Sequence, residues 1–148
     1  MAKKYYLDTS ALLPYYRNES ASLQIQKFLL NINPPVLISS LTRVEFVSVI
    51  ARWVRMSELS EAEAGLIENM FISDIKSGLF LNQLISQKHY NQAERWISLR
   101  KTGLRTLDAL HLASSWLSDT EMITCDKILH QSACSLGVCS SLIEPDEA

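Results

Sequence analysis

The sequence has few of the residues that break or cross-link a chain. Its 148 residues include only four glycines, four prolines and three cysteines, and no internal repeat, low-complexity tract or long linker interrupts them. We therefore expect one domain over residues 1–143, followed by a frayed tail at residues 144–148. No apolar run approaches the roughly 20 residues that cross a bilayer. The first residues also contain too short an apolar stretch for a signal peptide. These absences favour a cytoplasmic protein with no membrane partner.

The cysteines do not suggest a cross-linked or zinc-bound fold. Cys125, Cys134 and Cys139 are an odd number and contain no C-x-x-C pair. This pattern argues against a disulfide framework and against a cysteine-based zinc site. We interpret the three side chains as small buried hydrophobic residues.

Neither sign of charge dominates the sequence, whose formal net charge is −2. A nucleic-acid-binding protein often carries a basic patch, and the overall charge gives no indication of one. If four acidic residues were bound to a metal, the remaining surface would be near neutral or slightly positive. The charge balance alone therefore neither predicts nor excludes a nucleic-acid partner.

Apolar residues make up 47% of the chain and form short β-rich runs that alternate with helical periodicities. This alternation is typical of a parallel sheet flanked by helices. The predicted strands cover residues 5–7, 36–38, 79–85, 121–124 and 138–140. The predicted helices begin at about residue 10 and cover about 20–30, 40–56, 60–78, 90–99, 106–117 and 127–136.

Four acidic residues stand where apolar runs end or helices begin. Asp8 and Asp126 follow the first and fourth predicted strands. Glu45 lies in the opening turns of the helix after the second strand, and Asp108 opens the helix that returns to the fourth. Strand ends and the starts of crossover helices meet at the carboxyl edge of a parallel sheet, where open α/β sheets bind ligands. We therefore expect all four carboxylates at this edge.

Four carboxylates at one point repel each other unless a cation neutralises them. Mg²⁺ and Mn²⁺ prefer carboxylate oxygens, and Mg²⁺ keeps several bound waters. Helix N-termini at the same edge favour an anionic phosphate, and a bound metal activates water and stabilises charge on a phosphoryl oxygen. The pattern therefore predicts a divalent-metal-dependent hydrolase.

Each acid also has a simpler interpretation, which remains open. Asp8 would cap the turn after the first strand, and Asp126 would be the N-cap of the following helix. Glu45 would complete a capping box with Thr42. Asp108 would be a first-turn acid favoured by the helix dipole.

Three neighbours of these acids are further candidates. Ser10 lies two residues after Asp8, and Thr124 lies two residues before Asp126. Their hydroxyls are candidates for orienting carboxylates or water around a metal, with ordinary turn hydrogen bonds as the alternative. His111 follows Asp108 by one helical turn, either in a structural role or as a metal ligand.

Four blocks of the sequence together resemble the PIN-domain ribonucleases, in particular the VapC-type toxins of prokaryotic toxin–antitoxin pairs. The blocks occur in family order and cover essentially the whole chain. They are YLDTSALL at residues 6–13, TRVEF at 42–46, LDALHLA at 107–113 and ITCD at 123–126. The last two, about a dozen residues apart, are the most specific.

The resemblance implies a three-layer α/β/α fold with a mostly parallel sheet of about five strands, commonly ordered 3-2-1-4-5. It implies Mg²⁺- or Mn²⁺-dependent endonucleolytic cleavage of RNA by water. Asp8 and Asp108 match the family's central metal ligands, and Glu45 matches a third acid that binds metal or positions water. Asp126 matches a fourth, more variable acid that often acts through water.

The resemblance also implies partners. Members of the family usually form homodimers and are silenced by a cognate antitoxin, which lays a peptide along a groove. The apolar helices around residues 46–54 and 66–71 are candidate contact surfaces, with ordinary core packing as the alternative. Cys125 stands where a small residue is common in the family, and its oxidation would perturb the site.

Other functions fit the sequence less well. A PIN-like module that binds RNA or protein without turnover would keep the fold, but the complete set of motif acids argues against it. An aspartate-based phosphatase requires a second aspartate two residues after the first, where this chain has Ser10. A receiver domain requires an acidic pair near the first strand, where only Asp8 is available.

Overall fold

A computed structural model describes residues 2–146 of the chain and contains seven helices and five strands within them. The strands are β1 (Tyr5–Leu7), β2 (Val36–Ser39), β3 (Phe80–Gln83), β4 (Glu121–Thr124) and β5 (Ser140–Leu142). The helices are α1 (Thr9–Tyr16), α2 (Ser22–Leu30), α3 (Ser40–Arg55), α4 (Glu61–Lys76), α5 (Gln87–Ser98), α6 (Thr106–Leu117) and α7 (Lys127–Ser135). None of these helices combines the length and apolar character needed to cross a membrane.

The five strands form one parallel sheet in the order β3-β2-β1-β4-β5. The first strand therefore lies at the centre, with Tyr6 opposite Leu37 of β2 and Leu7 opposite Ile123 of β4. This arrangement confirms the predicted three-layer α/β/α fold and strand order. The sheet is wholly parallel, so every strand ends at the same edge.

The central strands β1, β2 and β4 are covered on both faces of the sheet, so nearly all of their residues are buried. Leu7, Ile38 and Ile123 face one layer, which is formed by α1 to α4. Their neighbours Tyr6 and Met122 face the opposite layer, formed by α5 to α7. Successive side chains of a strand point to opposite faces, so each short strand contributes to two cores.

An aromatic cluster joins α1, α3, α4 and β3. The ring of Phe71 lies 4.3 Å from Phe46, 5.6 Å from Tyr16 and 6.1 Å from Phe80, measured between centroids. The Tyr16 hydroxyl donates a 2.5 Å hydrogen bond to Asp74 Oδ2, so the polar end of this ring is also paired. The cluster fixes α4 against the rest of its layer.

Most predicted element ends agree with the structure, and α4 shows why. Ser60 Oγ accepts from the Glu63 amide at 3.1 Å, and Glu63 Oε1 accepts from the Ser60 amide at 3.1 Å. The predicted capping box is therefore confirmed. Gly78 follows the helix with φ +90°, a conformation that side chains disfavour, and turns the chain toward β3.

Three predicted boundaries were wrong. The fifth helix begins at Gln87, three residues before the predicted start, because Ser86 and His89 form a capping box in which His89 Nδ1 accepts from the Ser86 amide at 3.0 Å. The third strand is shorter than predicted and covers only Phe80–Gln83. The fifth lies at Ser140–Leu142 because the Val138 amide donates to the Ala133 carbonyl of α7 at 2.9 Å instead of pairing with β4.

The predicted tail lies only partly within the described residues. Residues 144–146 are exposed and belong to no helix or strand. Residues 147–148 lie outside the described part of the chain, as does Met1. The predicted division into a domain at 1–143 and a tail at 144–148 therefore stays a prediction.

We expect the aromatic cluster to carry a large share of the stability of this layer. Truncating the buried ring in Phe71→Ala should lower the free energy of unfolding by about 3–5 kcal/mol, because it removes apolar contacts and leaves a cavity. Urea unfolding followed by circular dichroism measures this change. Ile72→Ala, at a half-exposed position of the same helix, is the control and should cost about 1 kcal/mol or less. Equal losses in both variants would contradict this packing.

Candidate active site at the carboxyl edge of the sheet

The pairing of β1 with β4 builds the centre of the site. Because Leu7 lies opposite Ile123, the chain leaves both strands side by side, and the Asp8 amide donates to the Ile123 carbonyl at 3.3 Å. Asp8 is therefore beside Thr124, although the two residues are 116 positions apart in sequence.

Asp8 is buried, and three donors contact its carboxylate. Its Oδ1 accepts from Ser10 Oγ at 2.9 Å and from the Ala11 amide at 3.1 Å. Its Oδ2 accepts from Ser10 Oγ at 2.9 Å and from Thr124 Oγ1 at 2.7 Å. The Ser10 hydroxyl has one proton, so it donates to only one of the two Asp8 oxygens at a time. Its contact with the other oxygen can be replaced by another ligand.

The environment of Asp8 opposes its negative charge. Burial raises the pKa of this carboxyl, while the nearby His111 and the hydrogen bonds from Thr124, Ser10 and Ala11 act in the opposite direction. The net result is a raised pKa. Because its surroundings disfavour the charged form, the Asp8 carboxylate is stabilised by any cation that approaches it.

Glu45 lies on α3, one turn inside the sheet edge, and its partners come from two other elements. Its Oε1 accepts from Thr9 Oγ1 at 2.7 Å and pairs with His111 Nε2. Burial raises the pKa of Glu45, but the hydrogen bond and charge of His111 and the hydrogen bond from Thr9 outweigh it and leave the pKa below its ordinary value. The proposed capping box with Thr42 is absent, because Thr42 pairs with Ser39 instead.

The negative charges of Asp108 and Asp126 repel each other. Burial raises the pKa of Asp108, and the negative charges of Asp126 and Glu45 raise it further, against the smaller effects of His111 and Arg105. Among residues 2–146, no lysine, arginine or histidine forms an ion pair with either aspartate. Their mutual repulsion is therefore offset only in part, by the more distant charges of His111 and Arg105.

Three of the four acids also play the simpler roles considered above. Asp8 caps α1 through the Ala11 amide. Asp126 caps α7 through its Oδ1, which accepts from the amides of Ile128 at 2.9 Å and Leu129 at 3.1 Å. Asp108 lies in the first turn of α6. Capping and a place at the carboxyl edge thus occur together, and both caps occupy an end of a helix that faces this edge.

The donor set fits a hard divalent cation. All four acids offer carboxylate oxygens, and within residues 2–146 no basic side chain forms an ion pair with Asp108. No three His, Cys, Asp or Glu side chains within residues 2–146 already converge as ligands of one metal. Mg²⁺ is usually bound through one or two carboxylates and keeps several waters, so it does not require such a closed ligand set.

His111 occupies a more central place than its sequence position indicated. It is buried, and its ring bridges Glu45 through Nε2 and the Tyr6 hydroxyl through Nδ1, the latter at 2.7 Å. Burial lowers the pKa of this imidazole, but Tyr6, Glu45 and Asp8 outweigh burial and raise the pKa above its ordinary value. Helical spacing from Asp108 pointed to the same face of α6, but Tyr6 gave no sequence signal as its partner.

The hydroxyls of Ser10 and Thr124 connect the acids to the backbone. Ser10 Oγ accepts from the Cys125 amide at 3.0 Å, and Thr124 Oγ1 accepts from the Asp126 amide at 3.0 Å. Both hydroxyls donate to Asp8 at the same time. They fix the Asp8 carboxylate, just after β1, to the end of β4 and the loop that follows it. Their predicted role around a metal stays a prediction.

Comparison with known proteins agrees with this arrangement. The family model described as "PIN domain" matches residues 5–133. The chain belongs to the PIN domain family. A comparison with curated proteins gives no significant match.

Solved structures with the same fold include toxins and toxin–antitoxin complexes. VapC20 of Mycobacterium tuberculosis, a sarcin–ricin loop cleaving toxin, is 13% identical with a TM-score of 0.69, over 87% of this chain and 95% of that chain. VapBC2 of Rickettsia felis bound to a promoter DNA fragment is 12% identical with a TM-score of 0.65, over 95% and 98%. A toxin–antitoxin complex from Klebsiella pneumoniae is 24% identical with a TM-score of 0.58, over 84% and 89%. At these identities the likeness shows a shared fold.

The repulsion around Asp108 predicts a stability effect. Its raised pKa means that the ionised carboxylate destabilises the folded state once the pH exceeds the pKa of the unfolded chain. Asp108→Asn should therefore raise the melting temperature of the metal-free protein at pH 7 in EDTA, and the gain should shrink as the pH falls toward 4. Asp119→Asn, at an exposed loop position, is the control and should have little effect. A lower melting temperature in Asp108→Asn at pH 7 would argue against repulsion at this site.

The thiol of Cys125 should react slowly. Burial, followed by the charges of Asp8 and Glu19, raises the pKa of this thiol to about 12, and the thiolate is the reactive form. The predicted burial of all three cysteines was wrong, because Cys134 and Cys139 are exposed. Iodoacetamide at pH 8 in EDTA should therefore modify these two thiols well before Cys125. Peptide mass spectrometry over time measures the order, and urea-unfolded protein, in which all three react together, is the control. Early modification of Cys125 in the folded protein would contradict this environment.

Proposed function

We propose that this protein is a Mg²⁺- or Mn²⁺-dependent endoribonuclease and the toxin of a type II toxin–antitoxin pair. The observation that carries the proposal is the set of four carboxylates at the carboxyl edge of a parallel sheet, with Asp108 and Asp126 left without a cationic partner in the described residues. Membership of the PIN domain family supports it, and so do neighbours in fold that are toxins or toxin–antitoxin complexes.

The four acids would have different roles, because their surroundings differ. Asp8 and Asp108 would hold the metal, because burial and repulsion disfavour their charge without one. Glu45, whose Oε1 is already engaged, would use its other oxygen to bind metal or position water. Asp126 would act through water, because one of its oxygens caps α7.

The reaction is hydrolysis of a phosphodiester. The metal, when bound, would lower the pKa of a water and neutralise charge on the phosphoryl oxygens. The water oxygen bonds to phosphorus, the bond from phosphorus to one ribose oxygen breaks, and that oxygen takes up a proton. Glu45 and Asp126 would orient the attacking water.

Basic residues near the edge would hold the RNA backbone. Arg105 precedes α6 and lies close enough to Asp108 for its charge to oppose the raised pKa of that acid. Lys127 begins α7 directly after Asp126, and both basic side chains are exposed. Phosphate contacts of this kind position a nucleic acid without reading its sequence.

A groove between α2 and α4, lined by both apolar and polar side chains, is the surface that we assign to a cognate antitoxin. It encloses about 730 Å³ and is lined in part by Leu29, Leu30, Met70 and Leu79. Residues 46–54 and 66–71 contribute buried core side chains and exposed ones, Leu66 and Met70 among the latter. The predicted homodimer stays a prediction, and light scattering of the purified protein would test it.

A second function is a non-catalytic PIN-like module that binds RNA or protein. The observation that favours it is that Glu45 and Asp8 are already satisfied by hydrogen bonds and that no closed metal-ligand set exists among residues 2–146. Such a module would bind RNA without cleaving it, and EDTA would leave that binding unchanged.

We expect purified protein to cleave RNA with Mg²⁺ or Mn²⁺ and to lose this activity in EDTA. Asp8→Asn and Asp108→Asn should each reduce cleavage to background, because an amide lacks the charge that binds the metal. The measurement is the cleavage rate of a mixed cellular RNA, with circular dichroism to verify folding.

Asp119→Asn is the matched control for these substitutions, and it should cleave as well as the unaltered protein. Retained cleavage in both Asp8→Asn and Asp108→Asn would refute the assignment of the site. Cleavage that survives EDTA would refute its dependence on a metal.

A further inference from the structure

A buried chain of hydrogen bonds leads from the centre of the sheet to the acidic edge. His111 is only 2% exposed, and its ring lies between Glu45 and Tyr6. Tyr6 is fully buried in β1, and its hydroxyl donates to Ser39 Oγ at 2.9 Å. The chain therefore joins β1, β2, α3 and α6 in one network.

The hydrogen bonds of this network determine which ring nitrogen of His111 donates to Glu45. The carboxylate of Glu45 is an acceptor, so His111 Nε2 carries the hydrogen that it receives. The Tyr6 oxygen lies 2.7 Å from Nδ1 and holds the other side of the ring. A histidine held at both nitrogens keeps one ring orientation.

The contacts on Glu45 are one-sided. Both the Thr9 hydroxyl and the His111 ring contact Oε1. These contacts leave Oε2 as the oxygen available for a metal or a water. Since Glu45 is on a helix and half-buried, its side chain without these contacts would have several rotamers to choose from.

We propose that His111, held by Tyr6, is a positioning residue that fixes the Glu45 carboxylate for the reaction, and this inference rests on the proposed function. His111 does not itself take up the metal, because its Nε2 faces Glu45 and its Nδ1 faces Tyr6. Hydrogen-bond partners of this kind typically affect activity or metal affinity about 10–100-fold.

Two substitutions of similar polarity separate positioning from simple packing. The amide nitrogen of His111→Gln reaches about as far as Nε2, so this variant keeps a donor for Glu45. The shorter His111→Asn reaches only about as far as Nδ1 and leaves Glu45 without that donor. We expect His111→Asn to lower kcat for RNA cleavage about 10–100-fold with little change in KM, and His111→Gln to restore most of the loss.

Two further variants test the contact of His111 with Tyr6 and control for the loss of a histidine. Tyr6→Phe keeps the ring packing and removes the anchor of Nδ1, so it should lower kcat by a smaller factor. His130→Asn is the matched control, because His130 contacts Ser140 at 2.9 Å and no acid of the site. It should cleave at the unaltered rate. Equal activity of His111→Asn and unaltered protein would overturn the proposal, and so would equal losses in the Gln and Asn variants with unchanged melting temperatures.

A measurement without turnover distinguishes this inference from the proposed function. In metal-free protein labelled with ¹⁵N-histidine, the buried His111 Nε2 proton should give a resonance protected from solvent exchange. Glu45→Ala should shift or remove that resonance, and Asp126→Asn should leave it unchanged. A resonance that does not respond to Glu45→Ala overturns the positioning role even if the protein cleaves RNA. Absence of cleavage with a Glu45-dependent resonance refutes the ribonuclease and leaves the contact standing.

Discussion

The parallel pairing of β1 with β4 is the interaction on which the rest of the structure depends. It brings Asp8 beside Thr124 and directs two helix N-termini, those of α1 and α7, to the same edge. A register shift of one residue would move every side chain of β1 to the opposite face. Leu7 and Tyr6 belong to different cores, so such a shift would bury the phenol hydroxyl among apolar rings and separate the acids. The two cores thus fix the geometry of the site.

The sequence predicted the fold well because its signals are local. Asp8, Glu45, Asp108 and Asp126 each stand at the end of a strand or the start of a helix, and a parallel sheet brings such positions together without further information. Errors arose where tertiary contacts overrode local pattern. Val138 looks like a strand residue, but its amide donates to the Ala133 carbonyl of α7, so β5 begins only at Ser140.

The parts of the site that the sequence did not predict are long-range side-chain pairs. Tyr6 and His111 are 105 positions apart, and neither residue type implies the other. The sequence around Glu45 allowed a capping box with Thr42. In the structure Thr42 forms a capping box with Ser39 instead, and Glu45 faces His111. Sequence spacing identifies the edge where an acid lies, whereas the partners of its carboxylate depend on how three elements pack.

The double role of Asp126 has a consequence for the motions of the site. The amides of Ile128 and Leu129 are protected from exchange with solvent only while the Asp126 side chain holds them. Fraying of the first turn of α7 therefore releases an acid of the site at the same moment as it exposes two backbone amides. The stability of this helical turn therefore sets how often the Asp126 carboxylate is held at the carboxyl edge.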